Sequence, residues 1–231
     1  ADGSTQLEGF LAYDQAIKGR RPALIVSHAW GGQDDFARGK AESLAELGYV
    51  GFALDMYGKG RRGSNPDENA KLMQPFMDDR AMLARRINAA VTCIKSHLMV
   101  DGSSMGAIGF CFGGLCVLDL ARSGTPGIRG VVSFHGMFNP PSQRAAKHVS
   151  AEILALHGWD DPLATPDAVL AFTKEMTEAK ADWQLHAYGH TAHAFTNPQA
   201  NMREHGIMYH EDSDQRSWIA MKHFFEEVFE E

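Results

Sequence analysis

Two closely spaced motifs in the stretch GSSMGAIGFCFGG, residues 102–114, offer a nucleophile in the frame G-x-nucleophile-x-G. GSSMG would use Ser104, and GFCFG would use Cys111. A nucleophile turn needs a strand before it and a helix after it, because the N-terminus of that helix then faces the nucleophile. Cys111 follows the apolar run 107–110 and precedes an apolar helical segment, whereas Ser104 precedes that run in a Gly/Ser-rich stretch expected to be a loop. The context therefore favours Cys111.

The other two cysteines serve as a comparison for Cys111. Free cysteine is often only a buried packing residue, and Cys93 and Cys116 lie in apolar helical segments, so we expect both to pack in the core. Cys111 differs because the dipole and the free N–H groups of a helix N-terminus stabilise a thiolate, the reactive form of cysteine. Three cysteines also argue against a disulfide framework and indicate a reducing, cytoplasmic setting.

Candidate acid and base residues follow the nucleophile in the chain order that this chemistry uses, each after a later apolar run. The segment HGWDDP offers Asp160 and Asp161, and the segment GHTAHAF offers His190 and His193. Hydrolase acid loops of the form H-G-x-x-D-P favour Asp161, which leaves Asp160 as a turn residue. The spacing G-x-x-x-H-x-F favours His193 as the base and leaves His190 in a structural role. No third ligand stands near the two histidines, so we expect no metal site.

The elements that must position these residues alternate between short apolar runs and amphipathic helical segments. We expect strands over 22–29, 49–55, 107–110, 130–136, 153–158 and 183–189, and helices over 35–47, 113–122, 166–179 and 214–228. Helical material over 71–97 is expected to break near Pro75. This alternation predicts an α/β fold with a mostly parallel sheet covered by helices on both faces. The segment 6–14 is expected to add an antiparallel edge strand.

Length and charge limit the possible functions. A chain of 231 residues with 44% hydrophobic content fits one large domain, and no repeat or linker divides residues 1–231. The net charge of −7 provides no basic field for nucleic acid or anionic lipid, and no apolar run is long enough to span a bilayer. We therefore expect a soluble cytoplasmic protein whose partner is a small molecule, as a monomer or a homodimer.

Three motifs in this order resemble the dienelactone hydrolase family: GFCFGG at 109–114, HGWDDP at 157–162 and HAF at 193–195. The resemblance covers nearly the whole chain. It implies a single-domain α/β-hydrolase fold with a triad of Cys111, His193 and Asp161, which opens lactones and related esters with water and no cofactor. It also implies that the backbone N–H groups of Phe112 and Ala29 form the oxyanion hole.

The chain departs from the family at the substrate pocket. Dienelactone hydrolases carry a glutamate where this chain has His28 or Ala29, and they bind the substrate carboxylate with two arginines. One arginine position is occupied here by Asn197, and the segment SNPDEN has no arginine at the other. We therefore expect a more neutral pocket with His28 and Trp30 in its wall.

The only nearby positive candidates are two adjacent loop residues, Arg61 and Arg62. Arg61 is the pocket candidate, and a solvated loop charge is the simpler interpretation of both residues. The expected substrate is thus an uncharged lactone or small carboxylic ester. The alternative function is a thiol-based redox or binding protein that uses Cys111 without ester turnover, although the complete acid and base loops count against it.

Overall fold

The sheet has seven strands, and its six parallel strands place their carboxyl ends along one edge. The computed structural model describes residues 2–142 and 148–230. The strands are β1 (Phe10–Ala12), β2 (Arg21–Ser27), β3 (Val50–Ala53), β4 (Val100–Phe110), β5 (Ile128–Phe134), β6 (Glu152–Gly158) and β7 (Trp183–Tyr188). Their order is β1-β3-β2-β4-β5-β6-β7, in which β1 pairs antiparallel with β3 and all other pairs are parallel. This confirms the predicted mostly parallel sheet and its antiparallel edge strand.

In the part of the chain that the structure describes, six α-helices connect and cover the strands. They are α1 (Asp35–Glu46), α2 (Pro66–Asp78), α3 (Arg80–Lys95), α4 (Phe112–Arg122), α5 (Pro166–Glu178) and α6 (Glu211–Glu230). Polar side chains cap the N-termini of two of these helices. The Asp34 carboxylate accepts the Ala37 N–H at the start of α1, and the Asn65 side chain accepts the Glu68 N–H at the start of α2. A short antiparallel pair, β8 (Asn201–Met202) and β9 (Ile207–Met208), follows the base loop. The periodicity of the sequence does not predict this pair, because each strand has only two residues.

The core lies on both faces of the sheet. Helices α1 and α6 cover one face, and α3, α4 and α5 cover the other. Neighbouring residues of β2 therefore pack on different faces of the sheet. Leu24 packs on the face covered by α1 and α6, Ile25 packs on the opposite face, and both side chains are fully buried. Burial on both faces explains why the parallel strands are continuous apolar runs in the sequence. Within the described ranges, no helix is long and apolar enough to cross a membrane.

The start of β4 differs from the prediction. The stretch around Ser104 was expected to be a loop, but β4 begins at Val100 and includes it. The pairing with β2 is nevertheless irregular there, since Arg21 pairs with Val100 and Ala23 next pairs with Met105. The extra residues form a bulge in which the Ser104 hydroxyl donates to the Asp101 carboxylate at 3.1 Å. Ser104 thus lies in the half of β4 that is far from Cys111.

Two further predictions need correction. The helical segment breaks at Asp79 and not near Pro75, which lies inside α2. Asp79 leaves the helical conformation, with φ −120° and ψ 87°, and its carboxylate accepts the Met82 N–H at 2.9 Å, which begins α3. Cys93 was expected in the core, but it lies on the exposed face of α3. Cys116 is fully buried, as expected.

Candidate active site

Cys111 lies at a strained turn between β4 and α4. Its φ of 55° and ψ of −115° are unusual for a residue with a side chain, and it is half-buried. Two glycines let the backbones approach closely: a Cβ on Gly109 would collide with the carbonyl of Gly113, and a Cβ on Gly113 would collide with the carbonyls of Ser27 and His28. The turn therefore has the strand, helix and glycines that the sequence predicts around a nucleophile.

The N-terminus of α4 supplies a free donor next to Cys111. Phe112 is the first residue of α4, so its N–H has no acceptor within the helix. Its ring is fully buried and packs beside the rings of His28, Tyr57 and Phe76, which fixes the first turn. The Phe112 N–H thus has no acceptor within α4, as the role that the resemblance assigns to it requires.

Ala29 lies two residues after the end of β2, in a segment beside the start of α4. Its carbonyl oxygen accepts the Gly32 N–H at 3.2 Å and lies 2.6 Å from His28 Nδ1. Because Gly113 packs against the carbonyls of Ser27 and His28, the Ala29 segment and the first turn of α4 adjoin. The structure therefore brings together the two segments that the resemblance assigns to the oxyanion hole.

Asp161 and His193 form a buried pair. Asp161 Oδ2 lies 2.7 Å from His193 Nδ1, and the two side chains are almost completely shielded from solvent. The other carboxylate oxygen of Asp161 accepts the Leu163 N–H at 2.8 Å, so the orientation of the carboxylate is fixed. The competing residues Asp160 and His190 are both exposed. The acid and base loops thus bring Asp161, and not Asp160, next to His193.

The second ring nitrogen of His193 is on the side of Cys111. Nε2 is buried, and no described nitrogen or oxygen atom bonds to it. Burial alone would lower the pKa of His193, but the negative charges of Cys111 and Asp161 outweigh burial and raise this pKa to about 10. Because Asp161 occupies Nδ1, the interaction with Cys111 falls on Nε2. This arrangement can hold a thiolate and an imidazolium side by side.

The expected pocket residues differ in their accessibility. The His28 side chain is only 1% exposed, and its Nε2 accepts the Met56 N–H at 3.2 Å while Nδ1 lies against the Ala29 carbonyl. Burial lowers the pKa of His28, so its ring is neutral. Its nitrogens are thus engaged with the backbone and do not face an open pocket, in contrast to the expectation. Trp30 is partly exposed and packs on the core, with its carbonyl accepting the Tyr57 hydroxyl at 2.9 Å.

The loop arginines are exposed and contact backbone oxygens. Arg61 Nη1 donates to the Tyr57 carbonyl at 3.3 Å, and Arg62 Nε donates to the Gln33 carbonyl. The Arg62 guanidinium therefore braces the segment that follows Ala29, whereas the Arg61 guanidinium bonds within its own loop. Asn197, at the position of a family arginine, accepts the Gln199 N–H with its side chain in a local turn. None of these contacts forms a buried positive site.

The sequence analysis missed His135 and Thr196, which lie beside Cys111 and His193. The Cys111 N–H lies 3.1 Å from His135 Nδ1, and His135 Nε2 lies 2.8 Å from Thr196 Oγ1. A weak signal existed in the sequence, because His135 directly follows an apolar run and precedes Gly136. In the structure, His135 follows β5 with a positive φ of 39°. Across residues 2–142 and 148–230, no group of three or more His, Cys, Asp or Glu residues is arranged to hold a metal.

Comparison with known proteins places this geometry in a family. The model of the dienelactone hydrolase family matches residues 7–229. A probable 2-oxo-3-(5-oxofuran-2-ylidene)propanoate lactonase from Bradyrhizobium sp is 33% identical over 84% of this chain and 82% of its own length. A putative carboxymethylenebutenolidase from Aquifex aeolicus is 28% identical over 76% of this chain and 77% of its own.

A solved structure agrees with these matches. The crystal structure of a dienelactone hydrolase-like promiscuous phosphotriesterase from metagenomic libraries superimposes with a TM-score of 0.94 at 35% identity. The match covers 99% of this chain and 95% of the other. From the family match, the fold and the paired acid and base, we conclude that the chain belongs to the dienelactone hydrolase family and is a hydrolase of lactone or ester bonds.

Proposed function

We propose that this protein hydrolyses uncharged lactones or small carboxylic esters through a thioester on Cys111. The Cys111 thiolate attacks the carbonyl carbon, and the carbonyl electrons move onto oxygen to give a tetrahedral oxyanion. When the oxyanion collapses, the C–O bond of the ester breaks, and the His193 imidazolium gives its proton to the leaving alkoxide. Water then attacks the thioester, with neutral His193 taking its proton, and the acid product leaves as Cys111 returns to the thiolate.

The acid and the backbone donors have supporting roles in this mechanism. Asp161 holds His193 with Nε2 toward Cys111 and stabilises the charged imidazolium. The N–H groups of Phe112 and Ala29 would donate to the oxyanion, and the loss of one such donor typically costs about 3 kcal/mol of transition-state stabilisation. Because Phe112 begins α4, its N–H is already oriented before the substrate binds.

One observation carries the proposal: the buried Asp161–His193 pair has its second ring nitrogen on the side of Cys111. A histidine that served only to pack the core would gain nothing from a buried nitrogen without an oxygen or nitrogen partner. Next to a cysteine at a strained turn on a helix N-terminus, the same nitrogen is placed for proton transfer. The geometry therefore favours nucleophilic catalysis over the redox alternative.

The Cys111→Ala and Ser104→Ala variants test the nucleophile. We expect Cys111→Ala to lower kcat for an activated ester such as p-nitrophenyl acetate by a factor of about 10³ or more, because no other nucleophile lies at the turn. Ser104→Ala serves as the control and should retain activity within about twofold of wild type, since Ser104 lies in the half of β4 that is far from Cys111. Equal losses in both variants, or full activity of Cys111→Ala, would contradict the assignment.

A pair of substrates tests the preference for uncharged molecules. A buried carboxylate needs a cation or several hydrogen bonds, and the described arginines near Ala29 are exposed and engaged with carbonyl oxygens. We expect a neutral ester to have a higher kcat/KM than the matched ester with a terminal carboxylate. Arg61→Ala should change the rate of the neutral ester little. A faster carboxylated ester whose advantage disappears in Arg61→Ala or Arg62→Ala would overturn this preference.

A second candidate activity is the hydrolysis of phosphotriesters, and the similarity to the promiscuous phosphotriesterase favours it. Phosphotriesters are uncharged, which suits the same neutral pocket. The Cys111 thiolate would attack phosphorus, expel the alkoxide or phenoxide and leave an S-phosphoryl group that water hydrolyses. Release of p-nitrophenol from paraoxon by wild type, and its loss in Cys111→Ala, would support this activity. No release above the buffer rate would exclude it.

A further inference from the structure

A second buried histidine stands beside the nucleophile turn. His135 directly follows β5, which pairs with β4 on one side and with β6 on the other, so it lies between the strands that end at Cys111 and at the acid loop. Its side chain is almost completely buried, with 2% exposed, and its φ of 39° is in the left-handed region. Residues with a Cβ adopt this conformation only at a cost in free energy, so the surrounding contacts must maintain it.

The hydrogen bonds of His135 fix its tautomer. The Cys111 N–H is shared between the Phe134 carbonyl oxygen and His135 Nδ1, each at 3.1 Å, and because an N–H group only donates, Nδ1 is an acceptor without a proton. The proton of the neutral ring is therefore on Nε2, which donates to Thr196 Oγ1 at 2.8 Å. Burial lowers the pKa of His135 well below its usual value, and the positive charge of His193 adds to this effect, so the ring stays neutral.

The same ring also touches the base loop. His135 lies edge to face against the His193 ring, with 5.2 Å between centroids, and makes a similar contact with Phe195. Thr196 is buried and lies three residues after His193. One neutral imidazole therefore connects the backbone of the nucleophile turn, through its two nitrogens, to the loop that carries the base.

We propose that His135 is a positioning residue that holds the Cys111 turn in register with the His193 loop. The inference rests on the proposed role of Cys111 as the nucleophile. Two elements far apart in sequence must place a sulfur and an imidazole within reach of one carbonyl, and a small displacement between them costs rate. The Cys111 N–H also fixes the direction of the turn from which the Cys111 side chain and the Phe112 N–H project.

Two substitutions test the contributions of the two ring nitrogens of His135 separately. Thr196→Val removes the acceptor of the Nε2 proton with little change in shape, and it leaves the imidazole in place. His135→Asn keeps an acceptor near the position of Nδ1 and tolerates a positive φ, but it is too short to reach Thr196. The double variant completes a cycle. Thr92→Val is the matched control, because it removes a hydroxyl that bonds only to the Asn88 carbonyl on the exposed side of α3.

The readouts are kcat and KM for p-nitrophenyl butyrate, and the rate at which iodoacetamide alkylates Cys111, followed on the Cys111 peptide by mass spectrometry. We expect Thr196→Val and His135→Asn each to lower kcat about tenfold, which is the effect of one hydrogen bond, with KM within about twofold of wild type. The double variant should be no slower than the slower single variant, because both single variants and the double variant lack the same connection between the Cys111 turn and Thr196. Thr92→Val should match wild type.

Several results would overturn the role of His135. They are a kcat of Thr196→Val within twofold of wild type, an effect on KM alone, or losses that multiply in the double variant. If His135→Asn does not fold, Thr196→Val decides the question alone. If wild type turns over no ester, the proposed function fails, but the alkylation rate of Cys111 still tests whether His135 connects the Cys111 turn to the His193 loop. This rate should differ between wild type and Thr196→Val. Equal rates would refute the inference.

Discussion

The imidazole of His193 is held in its protonated form against the effect of burial. The negative Cys111 and Asp161 groups raise its pKa to about 10, although desolvation alone would lower the pKa of a buried histidine. A protonated ring is the form that can give a proton to a leaving alkoxide. The charge state of this one residue therefore sets the pH range in which the proposed reaction runs.

This pKa predicts an alkaline limit of activity that depends on Asp161. In wild type, kcat/KM for a neutral ester should fall as the pH rises through about 10, because His193 then loses its proton. Asp161→Asn removes one of the two negative charges, so its alkaline limit should move to lower pH, and kcat should drop by a factor of about 10² to 10⁴. Asp160→Asn is the control, because Asp160 is the exposed residue next to Asp161 in the chain. Equal pH profiles for the two variants would show that Asp161 does not support the imidazolium.

The same shift has a consequence for stability. A histidine whose pKa is higher in the folded state than its unfolded value near 6.5 stabilises the fold at pH values below the unfolded pKa. This contribution is lost as the pH rises from about 6.5 through about 10. Urea unfolding of wild type and His193→Gln should therefore show a difference in the free energy of unfolding that shrinks over this interval. A difference that grows with pH would contradict the raised pKa.

At the residue scale, local spacing was enough to predict some partners but not others. The patterns H-G-x-x-D-P and G-x-x-x-H-x-F distinguished Asp161 from Asp160 and His193 from His190, because each pair lies on one short loop. The bond from His135 to Cys111 joins residues 24 apart in the chain, and the bond to Thr196 joins residues 61 apart. No spacing rule predicts such pairs, because they depend on which strands become neighbours in the sheet.

At the scale of elements, the close contact between α4 and the end of β2 positions the candidate oxyanion hole. Gly113 of α4 lies directly against the carbonyl oxygens of Ser27 and His28, so that helix and strand meet without a side chain between them. The sequence predicted these glycines from the need for close approach at the turn. It did not predict that α2 continues through Pro75 and ends at Asp79, because the capping bonds of Asp79 outweigh the local preference.

Gly113→Ala tests this contact. A Cβ at Gly113 would overlap backbone atoms that cannot rotate away, so α4 must shift from β2, and we expect a loss of about 1–3 kcal/mol in stability together with a lower kcat. Gly39→Ala is the matched control, since Gly39 lies inside α1 with open space around it and a helical alanine is favoured over glycine by up to about 1 kcal/mol. Thermal unfolding and ester kinetics of both variants measure the difference. A fully active and stable Gly113→Ala would contradict the close packing.

At the scale of the whole molecule, a buried charge network ties the far end of α4 to its surroundings. The Asp119 carboxylate accepts from Arg80 of α3 at 2.7 Å and from Arg122 of its own helix at 3.1 Å. Arg122 also forms a two-point pair with Glu175 of α5, at 3.0 and 2.8 Å, and donates to the Phe138 carbonyl. The helix that carries Cys111 at its N-terminus is thus anchored at its C-terminal end to two other helices.

Asp119→Ala should therefore destabilise the fold more than it impairs the chemistry. Its side chain is 6% exposed, and its removal leaves Arg80 without its carboxylate partner in a poorly solvated site, at a cost of about 3–5 kcal/mol. Asp212→Ala, which breaks the exposed Asp212–Arg216 pair of α6, is the control and should leave the unfolding temperature unchanged. Because the network lies at the opposite end of α4 from Cys111, kcat of Asp119→Ala at a temperature where it remains folded should stay within about threefold of wild type. A large loss of kcat with unchanged stability would mean that the network acts on the active site directly and not through the anchoring of α4.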